Sequence, residues 1–259
     1  MSGLSDEQLD EIESRVAEQL AAPWDKGKGR PRGLALREAV IVAIFYMRQN
    51  ITEEVLAEIF GTSQPVISRA ITELTPLVEQ ATAECRPGPE DAAAAVRGQS
   101  ALLDGFLAPC WSWKPIHLLY SGKHKRTGFN CQVITYPNGD VVFISDPLPG
   151  RVHDMGALKK TPAADILTGA LSVIADKGYQ GSDYLTPDKK PAGGELLDWQ
   201  KKFNSRIASL RAPVERAVAH IKAWRILHTD YRRPLHTYLS SFRAAIGLYF
   251  FKITFGQAS

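Results

Sequence analysis

The sequence predicts an α/β domain preceded by a smaller all-α one, and three observations carry that expectation. Up to about residue 85 the apolar residues recur at helical spacing. From about residue 100 short apolar runs separated by turn residues take over, interspersed with helical stretches. Between the two, RPGPEDAAAAVRGQ (residues 86–99) supplies two prolines and two glycines and reads as a connection. The expected organisation is a helical domain over 1–85, a linker over 86–99, and a domain of mixed strand and helix order over 100–259, an order that implies stacked layers.

Residues 4–21 place Leu4, Leu9, Ile12, Val16 and Leu20 on one side of a helix. PWDKGKGRPRG follows, with Lys26, Lys28, Arg30 and Arg32; it reads as a solvated tether or as an arm along a phosphate backbone. A second helix is expected from about 35 to 49. TEEVLAEIFGTSQPVISRAITEL, about residues 52–76 with its flanks, then has the pattern of a helix-turn-helix. Thr52 can cap its first helix, with Val55, Leu56 and Ile59 inward. Gly61 permits the turn, Ser63 can cap the second helix, and Pro65 suits its first turn. Val66, Ile67, Ile71 and Leu74 face inward there. Gln64, Ser68, Arg69 and Thr72 face outward, short enough to meet base edges or phosphates. An ordinary helical hairpin has the same pattern.

In the second half, SALLDGFLAP reads as a strand ending at Asp104, RTGFNCQVITYPNGDVVFISDPLPG as a hairpin turning at Asn138-Gly139, and LSVIADKGYQG as a buried strand ending at Asp176. RVHDMGALKK and the residues after it, NSRIASLRAPVERAVAHIKAWRIL, and Tyr238–Ile253 read as helices; the last carries Leu239, Phe242, Ile246 and Phe250 on one stripe, a core face or a dimer seam.

Composition narrows the function. A chain of 259 residues, 44% hydrophobic and 23% charged, is ordinary for a globular protein, and a net charge of +3 permits a nucleic-acid partner. The three cysteines, Cys85, Cys110 and Cys131, have no CxxC spacing and read as reduced thiols. No signal peptide is visible, and the apolar run Ala244–Phe251 is too short to span a bilayer; a cytoplasmic protein with no membrane partner is expected.

The chemistry concentrates in five places. Asp104 and Asp176 each end an apolar run, where α/β sheets build their sites. Arg211, Glu215 and Lys222 fall on one helical stripe, since steps of four and eleven residues return to the same face. Three such acids can hold two Mg²⁺ ions through oxygen ligands and serve an in-line displacement at phosphorus. The loop SGKHKRTG lines up Lys123, His124, Lys125 and Arg126, a phosphate clamp or an exposed turn. His153-Asp154 can orient a ligand from behind it or cap the following helix. Each acid also has a plainer reading, since Asp caps turns readily and Arg211/Glu215 can be a solvated i, i+4 pair.

Together DG at 104–105, SGKHKR at 121–126, PGRVHD at 149–154, ADKGYQG at 175–181 and RAPVERAVAHIK at 211–222 resemble the DDE transposases of bacterial insertion sequences. The similarity is to insertion-sequence group five and the DDE superfamily endonucleases with a helix-turn-helix front, over roughly residues 33–252. In a related signature a Tyr stands three residues before the Arg; here that position is Ala208, and DG is followed by Phe106 where relatives carry Thr. The resemblance implies an RNase H-like catalytic domain, with Asp104 on its first strand, Asp176 after its fourth and Glu215 on the next helix, all three catalytic and metal-binding. It implies two Mg²⁺ ions, with Mn²⁺ able to substitute, and cleavage and strand transfer at double-stranded terminal inverted repeats and target DNA. It further implies Arg211 and Lys222 near the scissile phosphate, a dimer or larger assembly on DNA, and a place at the bacterial nucleoid. The rival expectations are an inactive DNA-binding regulator and an RNase H-fold nuclease that does not transpose.

Overall fold

The computed structural model describes residues 2–25, 31–111 and 117–255. Its elements in chain order are α1 (Asp6–Gln19), α2 (Leu36–Gln49), α3 (Glu53–Ile59), α4 (Gln64–Ala81), α5 (Pro89–Val96), β1 (Ser100–Pro109), β2 (Tyr120–Ser121), β3 (Arg126–Thr135), β4 (Val141–Ile144), β5 (Leu148–Pro149), α6 (Asp154–Leu158), α7 (Ala163–Leu167), β6 (Ser172–Ala175), α8 (Asp198–Ile221) and α9 (Tyr238–Thr254). The chain separates into two units, one of Met1–Arg86 with Lys222–Ser259 and one of Pro87–Ile221. This departs from the expected division twice. The C-terminal segment from Lys222 joins the helical unit, and residues 86–99 carry α5 in the α/β unit. Pro89 stands in the first turn of α5, Asp91 accepts the Gly88 amide, and four alanines follow, which are helix-start signals that outweigh the flanking glycines.

In the helical unit α1 begins with a capping box, Ser5 and Gln8 satisfying each other's amides, and buries Leu9, Ile12 and Val16. The helix-turn-helix is α3 and α4. Thr52 caps α3 through the Val55 amide, and Gly61 takes a φ of 59° in the turn. Ser63 stands at the α4 N-terminus without a side-chain cap bond, contrary to expectation. Leu56 and Ala57 fill the α3 interior, whereas Val55 and Ile59 are about half exposed, because a seven-residue helix turns only a narrow face inward. On α4, Ile67, Ile71 and Leu74 are buried as expected, and Val66 is half-buried. Helix α9 supplies Phe242, Ile246 and Phe250 to this core, while Leu239 is exposed. At Gly247 it approaches so closely that a Cβ would meet Thr82 Oγ1 at 2.1 Å.

The C-terminal segment also reaches the helix-turn-helix directly. Asn50, in the left-handed conformation after α2, donates to Thr229 and Asp230, and Arg232 donates to the Asn50 carbonyl at 2.5 Å. Arg233 pairs with Glu53 on α3 and donates to Thr72 on α4 at 2.6 Å, tying the two helices together. With side chains only 13% and 17% exposed, this ion pair is held out of water, so removing one partner strands the other. Arg233→Ala is therefore expected to lower the unfolding free energy of the helical unit by about 3 kcal/mol, read as a shifted urea midpoint. Glu53→Gln with Arg233→Met should recover most of it, and an unchanged midpoint in the single variant would reduce the pair to a surface contact.

The α/β unit is built on one mixed sheet. β1 pairs antiparallel with β3, β3 with β4 and β5, and β6 lies parallel on the other side of β1. Leu185 adds a parallel bridge to Ile174 beyond β6. This is the RNase H-like order expected. The hairpin turns at Asn138-Gly139, where Gly139 has a φ of 99° and Asn138 accepts the Asp140 amide. Side chains alternate across β1, so Ala101 and Leu103 join Ile134, Phe143, Ile166 and Val173 in a core covered by α5 and α7, and Asp104 points the other way. Helix α8 covers that second face with Ile207, Val214, Ala217 and Ile221. Asp104 lies mid-strand, not at a strand end as expected, because β1 runs on to Pro109 along its full antiparallel register with β3. Asp176 does follow the last residue of β6.

Candidate active site

The register of the sheet sets the first two acids side by side. Leu103 pairs with Ala175 across the parallel β1–β6 ladder, so the next residue on each chain is an aspartate. Asp104 Oδ1 accepts its neighbour Gly105 amide at 2.8 Å, and Asp176 Oδ1 accepts the Lys177 amide at 2.6 Å, which orients both carboxylates. Helix α8 crosses above and turns Arg211 down between them. Its guanidinium lies 3.3 Å from Asp104 Oδ1, 3.8 Å from Asp176 Oδ1 and 3.8 Å from Glu215 Oε1 one turn along the helix. The Arg211 side chain is 11% exposed and its Nε is buried without a hydrogen-bond partner, while Glu215 stands at the rim, 60% exposed. Pro213 sits between the two in mid-helix, where it removes a backbone donor; the Gly139 turn packs against its carbonyl.

A second cation enters from the basic loop. Lys123 Nζ is 2.7 Å from Asp154 Oδ2 and 3.6 Å from Asp176 Oδ2. Asp154 opens α6 and is buried, accepting also from Asn130 Nδ2 at 3.4 Å. Gln132, fully buried on the same face of β3, donates towards the Asp154 carbonyl and the Tyr179 hydroxyl and accepts from Thr161. Burial pushes the Asp104 carboxyl above the usual carboxylate range against the pull of Arg211. Burial works to lower the Lys123 ammonium, but Asp154, Asp176 and Asp104 outweigh it and hold the group above its ordinary value. Burial, with Asp154 alongside, keeps the Tyr179 phenol protonated well above its usual range.

Four carboxylates against two cations leave the cluster with an excess of two negative charges. Among the described residues no three such side chains are drawn together as a finished metal shell, since the guanidinium lies between them. The donor set fits a divalent cation by its chemistry: hard carboxylate oxygens, an excess of negative charge, and an exposed acid at the rim.

The family described as DDE superfamily endonuclease matches residues 103–249, which hold Asp104, Asp154, Asp176 and Glu215. The chain belongs to that family. Its companion, the helix-turn-helix of DDE superfamily endonuclease, matches residues 32–84. A protein named as a transposase for insertion sequence element IS112 of Streptomyces albus G is 30% identical over 202 residues, 77% of this chain and 74% of that one. One named as a transposase for insertion sequence element IS702 of Microchaete diplosiphon is 26% identical over 214 residues, 80% of this chain and 77% of that one. No solved structure matches. Membership of the DDE superfamily endonucleases makes the protein a nuclease-type enzyme that uses a divalent metal.

In this DDE endonuclease, then, the α/β unit gathers Asp104, Asp176, Glu215 and Arg211 with Lys123 and Asp154. Lys222 stands just past the end of α8 and groups with the helical unit. His153 caps α6, its Nδ1 accepting the Gly156 amide at 3.2 Å, which is the structural alternative weighed above. Of the rest of the basic loop, His124 donates its amide to Ser121 Oγ, Lys125 takes a left-handed φ of 54°, and Arg126 opens β3. On the helix-turn-helix, Gln64 donates to Glu53, and Thr72 is held by Arg233 while donating to the Ser68 carbonyl. Ser68 borders a cleft of about 430 Å³ with Arg232 and Arg233. Arg69 is exposed and makes no hydrogen bond or ion pair among the described residues. Arg32 stacks on the Trp24 ring, 3.8 Å from its centroid, and pairs with Glu73; Lys26, Lys28 and Arg30 lie outside the described residues.

Sequence reasoning missed Asn130, Gln132, Tyr179 and Arg233. For the first two a signal existed: polar residues two apart in the otherwise apolar run FNCQVIT share one strand face and need buried partners. Arg233 carried none, being one of two adjacent arginines in an irregular stretch.

Proposed function

We propose that this protein is a DNA transposase that recognises the terminal inverted repeats of an insertion sequence and cleaves and joins DNA strands there. The observation that carries the reading is the convergence of Asp104, Asp176 and Glu215 on one guanidinium, beside a second cation at Lys123. Asp104, Asp176 and Glu215 would hold Mg²⁺, two ions by the chemistry expected, with Mn²⁺ as a substitute. Bound there, the metal supplies electrophilic stabilisation of the charge that develops on the phosphate oxygens.

The chain's own residues supply the rest. Lys123 and Arg211 attract the phosphodiester into an otherwise acidic site and fix its non-bridging oxygens. Water adds to phosphorus and the P–O3′ bond breaks, leaving a 3′-hydroxyl and a 5′-phosphate; the water's proton passes to solvent and the leaving oxygen takes one up. The 3′-hydroxyl then adds to a target phosphodiester and displaces the target's own 3′-hydroxyl. Helix α4 docks the repeat through Arg69, Ser68, Gln64 and Thr72, and the loop residues Lys125, His124 and Arg126 line the approach. Pairing of two element ends implies at least a dimer on DNA, and the work belongs in the bacterial cytoplasm at the nucleoid. Among the described residues no helix is long and apolar enough to cross a membrane.

A duplex carrying the repeats that flank the gene, incubated with the protein and Mg²⁺, should be cut at the repeat end and joined to a target plasmid. Binding without nicking in Mg²⁺ or Mn²⁺ would make it a regulator, and cutting that ignores the repeat and never joins would make it a nuclease of the same fold. Arg69→Ala should weaken repeat binding by about tenfold without changing calorimetric Mg²⁺ affinity. Equal binding would remove α4 from the interface.

A further inference from the structure

We infer that Asp154 is a positioning residue for Lys123, holding its ammonium over Asp176 for the scissile phosphate; the catalytic part of this inference rests on the function proposed above. Three observations independent of the three acids lead there. Asp154 is 6% exposed, an unusual place for a carboxylate that is not on the reaction path. Its side chain is held from two directions: Asn130 Nδ2 donates to Oδ1 at 3.4 Å and Lys123 Nζ to Oδ2 at 2.7 Å, and Asn130 is itself anchored on the Val152 carbonyl at 2.9 Å.

The walls of its chamber are glycines from the two aspartate motifs. A Cβ on Gly105 would stand 3.0 Å from Asp154 Oδ1, and one on Gly178 would stand 2.3 Å from Oδ2. Both glycines have ordinary backbone angles, since neither is among those with positive φ. Space for this carboxylate excludes a Cβ at Gly178, and a Cβ at Gly105 would crowd it together with the Tyr179 hydroxyl at 3.2 Å. The residues that follow Asp104 and Asp176 are thus shaped around Asp154.

The geometry also explains why Lys123 lies where it does. Its side chain is 48% exposed and leaves a loop, so by itself it would sample several rotamers. The buried carboxylate at 2.7 Å selects the rotamer that leaves the ammonium 3.6 Å from Asp176, with donors to spare for a phosphate oxygen. A small cavity of about 170 Å³, lined by Lys123, Asp154, Asn130 and Arg151 among others, opens beside the pair.

The test is a coupling cycle of Asp154→Asn, Lys123→Ala and the double variant, with two readouts. Single-turnover cleavage of the repeat duplex should fall about 30-fold in Asp154→Asn, and the same substitution should change the rate less than twofold in the Lys123→Ala background. Equal losses in both backgrounds, or no loss in the single variant, would overturn the inference. The second readout needs no DNA: acetylation of Lys123 by an amine-reactive ester, followed by mass spectrometry, with the exposed Lys202 as internal standard. Lys123 should react several-fold more slowly than Lys202 in the wild type and at a similar rate in Asp154→Asn. Equal reactivity in the wild type would overturn the positioning. Wild-type protein that fails to cut DNA but protects Lys123 would defeat the transposase reading while leaving the positioning intact. Melting temperatures of all variants check folding, and Asp154→Glu, too long for the chamber, should fail to restore protection.

Discussion

Replacing Asp104 by Ala is expected to abolish strand cleavage, with a loss on the order of 10³-fold or more, while repeat binding by the helical unit stays within twofold. The asymmetry follows from where the residue sits. Asp104 is fixed mid-strand by the antiparallel register with β3 and by the Gly105 amide, so no neighbouring acid can take its place. It lies in the α/β unit, whereas α4 lies in the other. Strand nicking of a labelled repeat duplex and a gel-shift titration measure the two halves separately. Undiminished nicking would remove Asp104 from the site, and lost binding would show that the two units are not independent in recognising DNA. The same substitution should make the metal-free protein slightly more stable at neutral pH, because it removes a carboxylate whose burial is incompletely offset by Arg211.

The second large effect is expected at Arg211. Arg211→Ala leaves three carboxylates around an empty centre and should cost about 3 kcal/mol, or roughly 10 °C in melting temperature, measured in chelator. The pH dependence has a definite sign. An acid whose folded pKa lies above its unfolded value binds its proton more tightly when folded. Its folded state is therefore favoured below the ordinary carboxylate range and loses that advantage as pH rises through the raised value. Burial already raises Asp104, and Arg211 opposes the rise. Without the guanidinium the rise grows, so the penalty in Arg211→Ala should be largest near neutrality and shrink as pH falls into the carboxylate range. Divalent cation should restore part of the stability, which a merely structural arginine would not allow. Arg211→Lys should recover little, because one ammonium cannot span three carboxylates at 3.3–3.8 Å as a planar fork does. A flat pH profile for the Ala variant would mean that the acids are not coupled through this residue.

What the sequence revealed depended on whether the governing interaction was local. Helix periodicity, the Thr52 cap, the Gly61 turn and the Asn138-Gly139 hairpin are set within a few residues, and all were legible. The five motifs marked Asp104, Asp176 and Glu215 as chemically special, and their convergence follows from a register that no local window contains. Asp104 was read as a strand end, yet β1 runs on through Gly105, where a Cβ would stand 3.0 Å from the Asp154 carboxylate. The stretch 86–99 was read as a connection because its prolines and glycines outweighed its Ala run, whereas Pro89 and Asp91 start a helix there. The partition of the C-terminal segment was illegible for a different reason: α9 is apolar on most sides, and such a helix records that it is buried without recording in which core.

That partition has a consequence for how the protein is made. The helical core is closed by Phe242, Ile246 and Phe250, and the two helices of its helix-turn-helix are braced by Arg233, all supplied by the segment from Lys222 onward, which follows the α/β unit in the chain. Domains ordinarily fold as they leave the ribosome, N-terminal first. Here α1–α4 must wait for the segment from Lys222 onward, with the whole α/β unit emerging in between. A nascent chain halted at Ile221 should accordingly leave α1–α4 protease-sensitive, while release of the full chain protects them. The helix-turn-helix would thus mature only after the whole α/β unit has been made.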